Sequence, residues 1–216
     1  MLASDRQVAA LVKLFHGGTK LTYKKGEYII RPGEAPGAVF YIESGLVKAY
    51  NISKYGEENL LIIRKSHEIF PLIWAITGQE RDIIYQAMDS TTVWRISPQI
   101  YLSFLHNHPA ALPPLLDMVT EMYRIHSERL LNLEYRSVRE RLISFLLTMS
   151  GRFGKETEEG LVIEVPLRHQ DIASSVNATR ETTSRELSAL ERKGLLQNKQ
   201  SMIILKDLDA LQKYLT

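Results

Sequence analysis

The segment that most constrains the fold lies near the end of the chain, at residues 167–194, and its pattern predicts two short helices joined by a tight turn. Asn177-Ala178 separates two sets of apolar residues, and asparagine tolerates the left-handed conformation that such a turn requires. Thr179 is a favourable N-cap for the second helix. Both apolar sets have helical spacing: Ile172, Ala173 and Val176 form the first, and Leu187, Leu190 and Leu195 form the second.

Polar residues at the start of the second helix indicate what this segment binds. A cap at Thr179 places Arg180 and Glu181 in the first turn, and Ser184 and Arg185 one turn later on the same side. A second helix that presents Arg, Glu, Ser and Arg at its exposed N-terminal end has the layout of a DNA recognition helix.

Composition permits this interpretation and excludes other functions. The chain has 216 residues, 44% of them hydrophobic, and a net charge of only +2. From Arg168 to Lys206 there are seven Lys or Arg against four Asp or Glu, a local excess of three positive charges. The absence of cysteine excludes disulfides, thiolate catalysis and cysteine-held zinc or iron–sulfur clusters. Since neither a signal peptide nor a membrane-spanning apolar run is present, we expect a cytoplasmic protein without membrane contact.

The first half of the chain predicts an antiparallel barrel or jelly roll. Residues 2–16 form an amphipathic pattern that ends at Gly17-Gly18. Short apolar or alternating runs follow from Leu21 to about Arg95, separated by turn signals such as Pro32-Gly33 and Ser44-Gly45.

A long helix is predicted next, from Pro109 to Leu133, and it is apolar on more than one side. The barrel would cover one side and a second copy of the helix the other. Ser137 and Glu140 form a capping box that starts another helix, so the hinge is expected at residues 134–137. The two apolar stripes are Leu112, Leu115, Val119 and Met122, then Leu116, Tyr123 and Leu130.

The rest of the chain predicts a charged loop at residues 154–160, a strand at 161–165, the helix–turn–helix, a β-hairpin wing on either side of 198–201, and a small terminal helix.

We therefore predict an α+β chain with three parts: a sensor barrel at 1–108, a dimerisation helix and hinge at 109–136, and a winged helix-turn-helix domain at 137–216.

Residues 29–45 carry the first resemblance to a known family. An apolar pair, Ile29-Ile30, is followed by Gly33-Glu34, then by four consecutive apolar residues and Gly45. This order resembles the first signature of the cyclic-nucleotide-binding domain, with Pro36 where a small residue is usual. Barrel, long helix and winged helix-turn-helix, in that order, resemble the family of the cyclic-AMP receptor protein and the fumarate-and-nitrate-reduction regulator over nearly the whole chain. The resemblance implies a homodimeric transcriptional regulator, not an enzyme, that binds double-stranded DNA and works with RNA polymerase.

The most specific part of the resemblance is the segment Thr179–Arg185. It implies that Arg180 and Arg185 bind guanine, that Glu181 accepts from the cytosine amino group, and that Ser184 contacts a base or a methyl group. Thr179 and Gln170 are expected to bind phosphate. The expected target is an inverted repeat, with TGA-type half-sites about 34 Å apart.

The nucleotide-binding cassette departs from the family. Phe70-Pro71 stands in the place of the family's Gly-Glu pair, which holds the ribose. Arg81 matches the arginine that neutralises the cyclic phosphate, but Asp82 replaces the following hydroxyl residue. Ser127 matches a hydroxyl that contacts the base in the family. Arg81 and Ser127 are therefore the candidate effector residues, and we expect no tight binding of cyclic AMP.

The sequence is also compatible with other roles for the barrel. The barrel could sense haem through His67 or His126, or a small metabolite, or it could be a vestigial sensor in a constitutive dimer. A cupin-like metalloenzyme would need several histidines and a carboxylate that converge inside the barrel. The six histidines lie mostly outside the predicted strands, and the pair His106 and His108 lacks further ligands, so we predict neither a metal site nor a cofactor.

Overall fold

The structure, a computed structural model, describes residues 2–199 and 202–215. Its contacts divide the chain into two compact units. The first comprises the residues up to 53 together with 60–122, and the second comprises 54–59 together with the residues from 123 onward. The division falls inside the long helix, and it assigns a short segment before residue 60 to the second unit.

The first unit contains the predicted antiparallel barrel. The strands are β1 (Thr19–Tyr23), β2 (Tyr28–Ile30), β3 (Val39–Ser44), β4 (Val47–Ile52), β5 (Glu58–Arg64), β6 (Ile69–Phe70), β7 (Ile84–Ala87) and β8 (Thr91–Ile96). One sheet has the strand order β1-β8-β3-β6, and the other has the order β2-β7-β4-β5. The helices that accompany them are α1 (Asp5–His16), α2 (Leu72–Thr77) and α3 (Pro98–Asn107).

Two of these elements, β6 and α2, were not predicted from the sequence. Strand β6 has only two residues, and its pairing with β3, Phe40 opposite Phe70 and Tyr41 opposite Ile69, joins segments far apart in the chain. Helix α2 has six residues, too few for a helical period to be recognised.

The two faces of strand β3 pack into different parts of the core. Val39 and Tyr41 belong to a cluster that also contains Leu11 and Phe15 of α1, outside the barrel. Phe40 points the other way, towards Phe70, because successive side chains alternate across a strand. The helices therefore cover one face of the first sheet, and the other face closes the barrel interior.

Gly45 is the turn residue whose identity the fold requires most clearly. Its φ is +93°, and a Cβ built there would lie 2.7 Å from the Cα of Thr91. Any other residue would combine an unfavourable backbone conformation with a backbone clash. The β3–β4 turn therefore requires the glycine that the sequence pattern identified.

Tyr101 of α3 provides a test of core energetics. Its side chain is fully buried, and its hydroxyl has no hydrogen-bond partner among the described residues. A buried polar group without a partner costs about 1 to 3 kcal/mol. We expect Tyr101→Phe to raise the free energy of unfolding by about 1 kcal/mol in urea titrations, because the ring stays and the unpaired hydroxyl is removed.

Tyr41→Phe is the matched control for this variant. The Tyr41 hydroxyl lies 2.6 Å from Nδ1 of His67. Its loss should lower the free energy of unfolding by about 1 kcal/mol. If both variants shifted stability in the same direction by the same amount, the argument from the unpaired hydroxyl would be wrong.

The long helix α4 (Leu112–Tyr135) follows a short 3-10 turn, Pro109–Ala111. The four residues of the first predicted stripe, Leu112, Leu115, Val119 and Met122, do not lie in one environment. Leu115 is buried, with Met118 and Met122 packed in the same core, whereas Leu112 and Val119 are exposed. Residues three and four apart lie on roughly the same side of a helix, but successive steps shift the direction of the side chain around the helix axis. Spacing alone therefore grouped core-facing residues with exposed ones.

The second unit contains the remaining elements. They are α5 (Val138–Phe153), β9 (Gly154–Thr157), β10 (Gly160–Ile163), α6 (His169–Ser175), α7 (Arg180–Arg192), β11 (Leu196–Lys199), β12 (Met202–Leu205) and α8 (Leu208–Gln212). Helix α5 starts at the predicted capping box, in which the Ser137 side chain accepts from the Glu140 backbone N–H and the Glu140 carboxylate accepts from the Ser137 backbone N–H. The predicted charged loop at 154–160 is largely the strand β9, which pairs with β10. These two strands and the wing form one sheet, ordered β11-β12-β10-β9.

Across the described ranges, the helices are all too short or too polar to span a bilayer.

Candidate nucleic-acid interface and sensor interior

The helix–turn–helix is formed by α6 and α7. Asn177 in the turn has a φ of +49°, the left-handed conformation that the sequence predicts there. Thr179 is the N-cap of α7, and its Oγ1 accepts a hydrogen bond from the backbone N–H of Thr182 at 3.1 Å. The cap therefore fixes which residues lie in the first turn of α7.

One face of α7 is buried and the opposite face is open. Thr183, Leu187 and Leu190 pack into the second unit. Arg180, Glu181 and Arg185 are exposed, and none of the three makes a side-chain hydrogen bond or ion pair with any residue that the structure describes. Uncompensated charges at the N-terminal end of this helix are thus available for an external partner.

The other three predicted contact residues border this face. Ser184 is half-buried on α7, between Thr183 and Arg185. Thr179 precedes α7, and Gln170 lies in the first turn of α6; both are exposed. All six predicted DNA contacts therefore lie on α6, α7 or the turn between them.

Two arginines of α5 hold the helix–turn–helix in place, and the sequence did not identify them. Nε of Arg139 donates to Glu186 of α7 at 2.6 Å. Nε of Arg141 donates to the Val176 carbonyl at 2.8 Å, and its Nη2 reaches the Asn177 carbonyl at 3.2 Å. Their only sequence signal is their position beside the capping box, which does not reveal contacts made 35 or more positions away.

The wing is formed by β11 and β12, as predicted. The side-chain amide of Asn198 lies 3.1 Å from Nε2 of His169, at the start of α6. Gln200 and Ser201, which the prediction placed in the turn of the wing, lie outside the described residues. The wing is therefore tied to the first helix of the motif.

An aromatic stack lies in the interior of the barrel. The rings of Phe40 and Phe70 are 5.3 Å apart, and those of Phe70 and Tyr85 are 4.7 Å apart, all nearly parallel. Phe40 and Phe70 belong to one sheet and Tyr85 to the other. The stack therefore bridges the two sheets, and the fully buried Phe70 comes from the segment that stands in place of the family's ribose-binding pair.

A buried ion pair lies at the end of β5. Arg64 is 3% exposed, and its Nη1 contacts Glu68 at 3.2 Å. Burial raises the pKa of the Tyr85 hydroxyl, and the positive charges of Arg64 and Arg81 oppose that shift. Arg64 was not predicted as a buried residue, although it continues the inward alternation of Leu60 and Ile62.

The predicted effector residues are not brought together within either unit. Arg81 and Asp82 are exposed on the segment between α2 and β7, in the first unit. Within the described residues, the Arg81 side chain has no ion pair. Ser127 is half-buried on α4 and belongs to the second unit.

The histidines do not converge. No group of three or more His, Asp or Glu side chains in the described parts of the chain is arranged to hold a metal ion. His67 lies against Tyr41, on the helix-covered face of β3, and Nδ1 of His108 contacts the Phe104 carbonyl at 3.1 Å. A cupin-like centre would require such a cluster inside the barrel.

Comparison with known families matches both halves of the chain. A cyclic nucleotide-binding domain matches residues 20–108, and a Crp-like helix-turn-helix domain matches residues 140–214. The barrel is thus of the cyclic nucleotide-binding type, and the cupin-like alternative is wrong.

Relatives extend the similarity over the whole chain. The global nitrogen regulator of Synechocystis sp. is 27% identical over 223 residues, which cover 100% of this chain and 98% of that protein. Electron transport regulator A of Shewanella oneidensis is 25% identical over 188 residues, which cover 87% of this chain and 75% of that protein.

Solved structures share the fold. A CooA mutant from Carboxydothermus hydrogenoformans superposes with a TM-score of 0.81 at 21% identity, covering 99% of this chain and 98% of that one. FixK2 from Bradyrhizobium japonicum gives a TM-score of 0.78 at 23% identity, covering 91% of this chain and 96% of that one.

Proposed function

The chain belongs to the CRP/FNR family of DNA-binding transcriptional regulators, and from that premise we propose that it binds an inverted-repeat DNA site as a homodimer. The observation that carries the proposal is the open face of α7, where Arg180, Glu181 and Arg185 have no partner among the described residues. Because these side chains have no internal partner, no ion pair or hydrogen bond within the protein has to be broken before they meet a base edge.

Each exposed side chain has a distinct task in this proposal. Arg180 and Arg185 donate to O6 and N7 of guanine, and Glu181 accepts from the cytosine amino group. Ser184 contacts a base or a thymine methyl group. Thr179 and Gln170 bind phosphate and set the register of the helix in the major groove. A TGA-type half-site would supply partners for these groups.

Helix α4 supplies the proposed dimer contact. An exposed apolar seam runs along it with separations of four and three residues, interrupted only at position 126, where His126 stands. That spacing is the a/d pattern of a two-stranded coiled coil. The seam consists of Leu112, Leu116, Val119, Tyr123, Leu130 and Leu133, which are 37% to 74% exposed in the single chain.

A dimer through this seam would place two copies of α7 on successive major grooves, about 34 Å apart. Such a regulator acts in the cytoplasm, where bacterial DNA lies, and RNA polymerase is its proposed protein partner. Selection of binding sites from random duplexes tests the proposal. We expect an inverted repeat with half-site centres about 10 base pairs apart. Enrichment of unpaired half-sites, or of no sequence, would contradict it.

The sensor barrel is proposed not to bind cyclic AMP tightly. Phe70 occupies the interior between Phe40 and Tyr85, and Pro71 cannot accept the ribose hydrogen bonds. A nucleotide would have to displace the stack and leave polar groups unpaired, at about 1 to 3 kcal/mol each.

Calorimetric titration with cyclic AMP should therefore give no heat of binding at micromolar nucleotide. The same preparation should bind its selected DNA site, which shows that the protein is active. Nanomolar to low-micromolar binding of cyclic AMP would contradict the expectation and would imply that the Phe70 ring leaves the interior.

A further inference from the structure

Arg129 of α4 joins two distant segments inside the second unit. Its Nη2 donates to Oδ1 of Asn59 at 2.7 Å and to the backbone carbonyl of Ser174 at 3.1 Å. These partners are 70 and 45 positions away along the chain. One guanidinium therefore links the beginning of β5 to the last turn of α6.

The Ser174 contact stabilises the end of α6 where that helix lacks internal partners. The last carbonyls of a helix have no intrahelical donor, and a cation is favourable at that end. Arg141 donates to the carbonyls of Val176 and Asn177, immediately after α6. Arg129 from α4 and Arg141 from α5 thus hold the segment that leads into the turn before α7.

Burial makes the Arg129 contacts sensitive to geometry. Burial lowers the pKa of the Arg129 guanidinium, because water solvates its charge less well there. A hydrogen bond weakens steeply once its distance or angle departs from the favourable range. A small displacement of Asn59 would therefore change how firmly Arg129 is held.

Strand β5 connects this contact to the sensor interior by chain continuity. Residues 54–59 belong to the second unit, whereas β5 continues from Leu60 in the first unit to Arg64. Arg64 is the buried partner of Glu68 beside Tyr85. Five residues of extended strand, about 17 Å, separate Asn59 from Arg64.

We infer that Arg129 is a positioning residue that couples the position of β5 to the DNA-binding helix pair. The inference rests on the proposed function, because its readout is DNA affinity. Release of Asn59 leaves the Arg129 guanidinium less firmly held against the Ser174 carbonyl, so the end of α6 is less ordered, and ordering it again on DNA reduces the affinity. The Asn59–Arg129–Ser174 contact thereby makes operator affinity depend on where β5 lies.

A double-mutant cycle in the full-length protein tests the coupling. The variants are Asn59→Ala, Arg129→Met and the double variant, and the readout is the Kd for the selected operator and for random DNA. Each single variant should weaken operator binding about three- to thirty-fold, and the double variant should be no weaker than the poorer single one. Arg124→Met is the matched control, because Arg124 lies on the same helix and pairs with Glu128 at 3.0 Å; its operator affinity should stay within about two-fold of the wild type.

A merely structural role for Arg129 would give a different pattern. Loss of operator and random DNA binding in proportion to a lower melting temperature would overturn the inference, as would single effects that simply multiply in the double variant. Asn59→Ala removes one partner of Arg129 and leaves the Arg129 side chain in place, so it remains decisive even if Arg129→Met does not fold. If the wild type binds its operator selectively and Asn59→Ala has the same operator affinity, the coupling is refuted and the proposed function stands. If the wild type itself does not distinguish the operator from random DNA, the proposed function is refuted.

Discussion

Replacement of Arg180 or Arg185 by alanine is expected to weaken binding to the selected operator by about 5- to 150-fold, the equivalent of 1 to 3 kcal/mol per lost base contact. Both guanidinium groups are exposed near the N-terminal end of α7, and neither has a partner among the described residues. A bidentate contact with guanine is specific, because no other base presents the same pair of acceptors in the major groove. Each variant should therefore also lose its preference at one base pair of each half-site.

The measurement is a set of DNA titrations at fixed salt, with the operator, with operators substituted at single positions, and with random DNA. Arg192→Ala is the matched control, since Arg192 lies in the last turn of the same helix. It removes an equal charge away from the first turns, so its effect should be small and equal for every sequence. If Arg180→Ala and Arg185→Ala retained the selectivity of the wild type, the assignment of base contacts would be wrong.

The seam of α4 is expected to control DNA binding through dimerisation. Tyr123→Glu combined with Leu130→Glu places two charges at seam positions that are 74% and 67% exposed in the single chain. Opposed charges of the same sign in a desolvated helix pair are strongly unfavourable. The double variant should sediment as a monomer, with affinity for the full operator at least about 100-fold lower, because the second half-site no longer benefits from intramolecular binding.

Leu131→Glu provides the control for this experiment. Leu131 is 57% exposed and neighbours Leu130, but it lies outside the seam spacing. This variant should remain dimeric, with operator affinity close to that of the wild type. A monomeric wild type, or a Tyr123→Glu/Leu130→Glu variant that remained dimeric, would contradict the proposed dimer. Sedimentation and DNA titration of the same samples distinguish loss of pairing from loss of folding.

Local sequence features were sufficient to predict the helix–turn–helix and the side chains exposed at the start of α7. That motif depends on features within a few residues of each other: apolar spacing, the left-handed Asn177 and the Thr179 cap. The same holds for the capping box at Ser137 and for the glycine turn at Gly45. Local propensity and periodicity are sufficient where the contacts that fix an element are local.

Contacts between segments far apart in the chain place Phe70 in the barrel interior and hold the helix–turn–helix, and the sequence did not predict them. The sequence identified Phe70 as a departure from the family, but the stack with Phe40 and Tyr85 shows that its ring occupies the interior. Likewise, only the packing shows which apolar residues of α4 face the core: Leu115 is buried, whereas Val119 is exposed.

The Asn59–Arg129–Ser174 contact joins three elements that no local pattern relates. The physical reason is that burial and long-range hydrogen bonds depend on which segments meet in space. A residue's spacing to its neighbours in the chain carries no information about a partner 45 or 70 positions away.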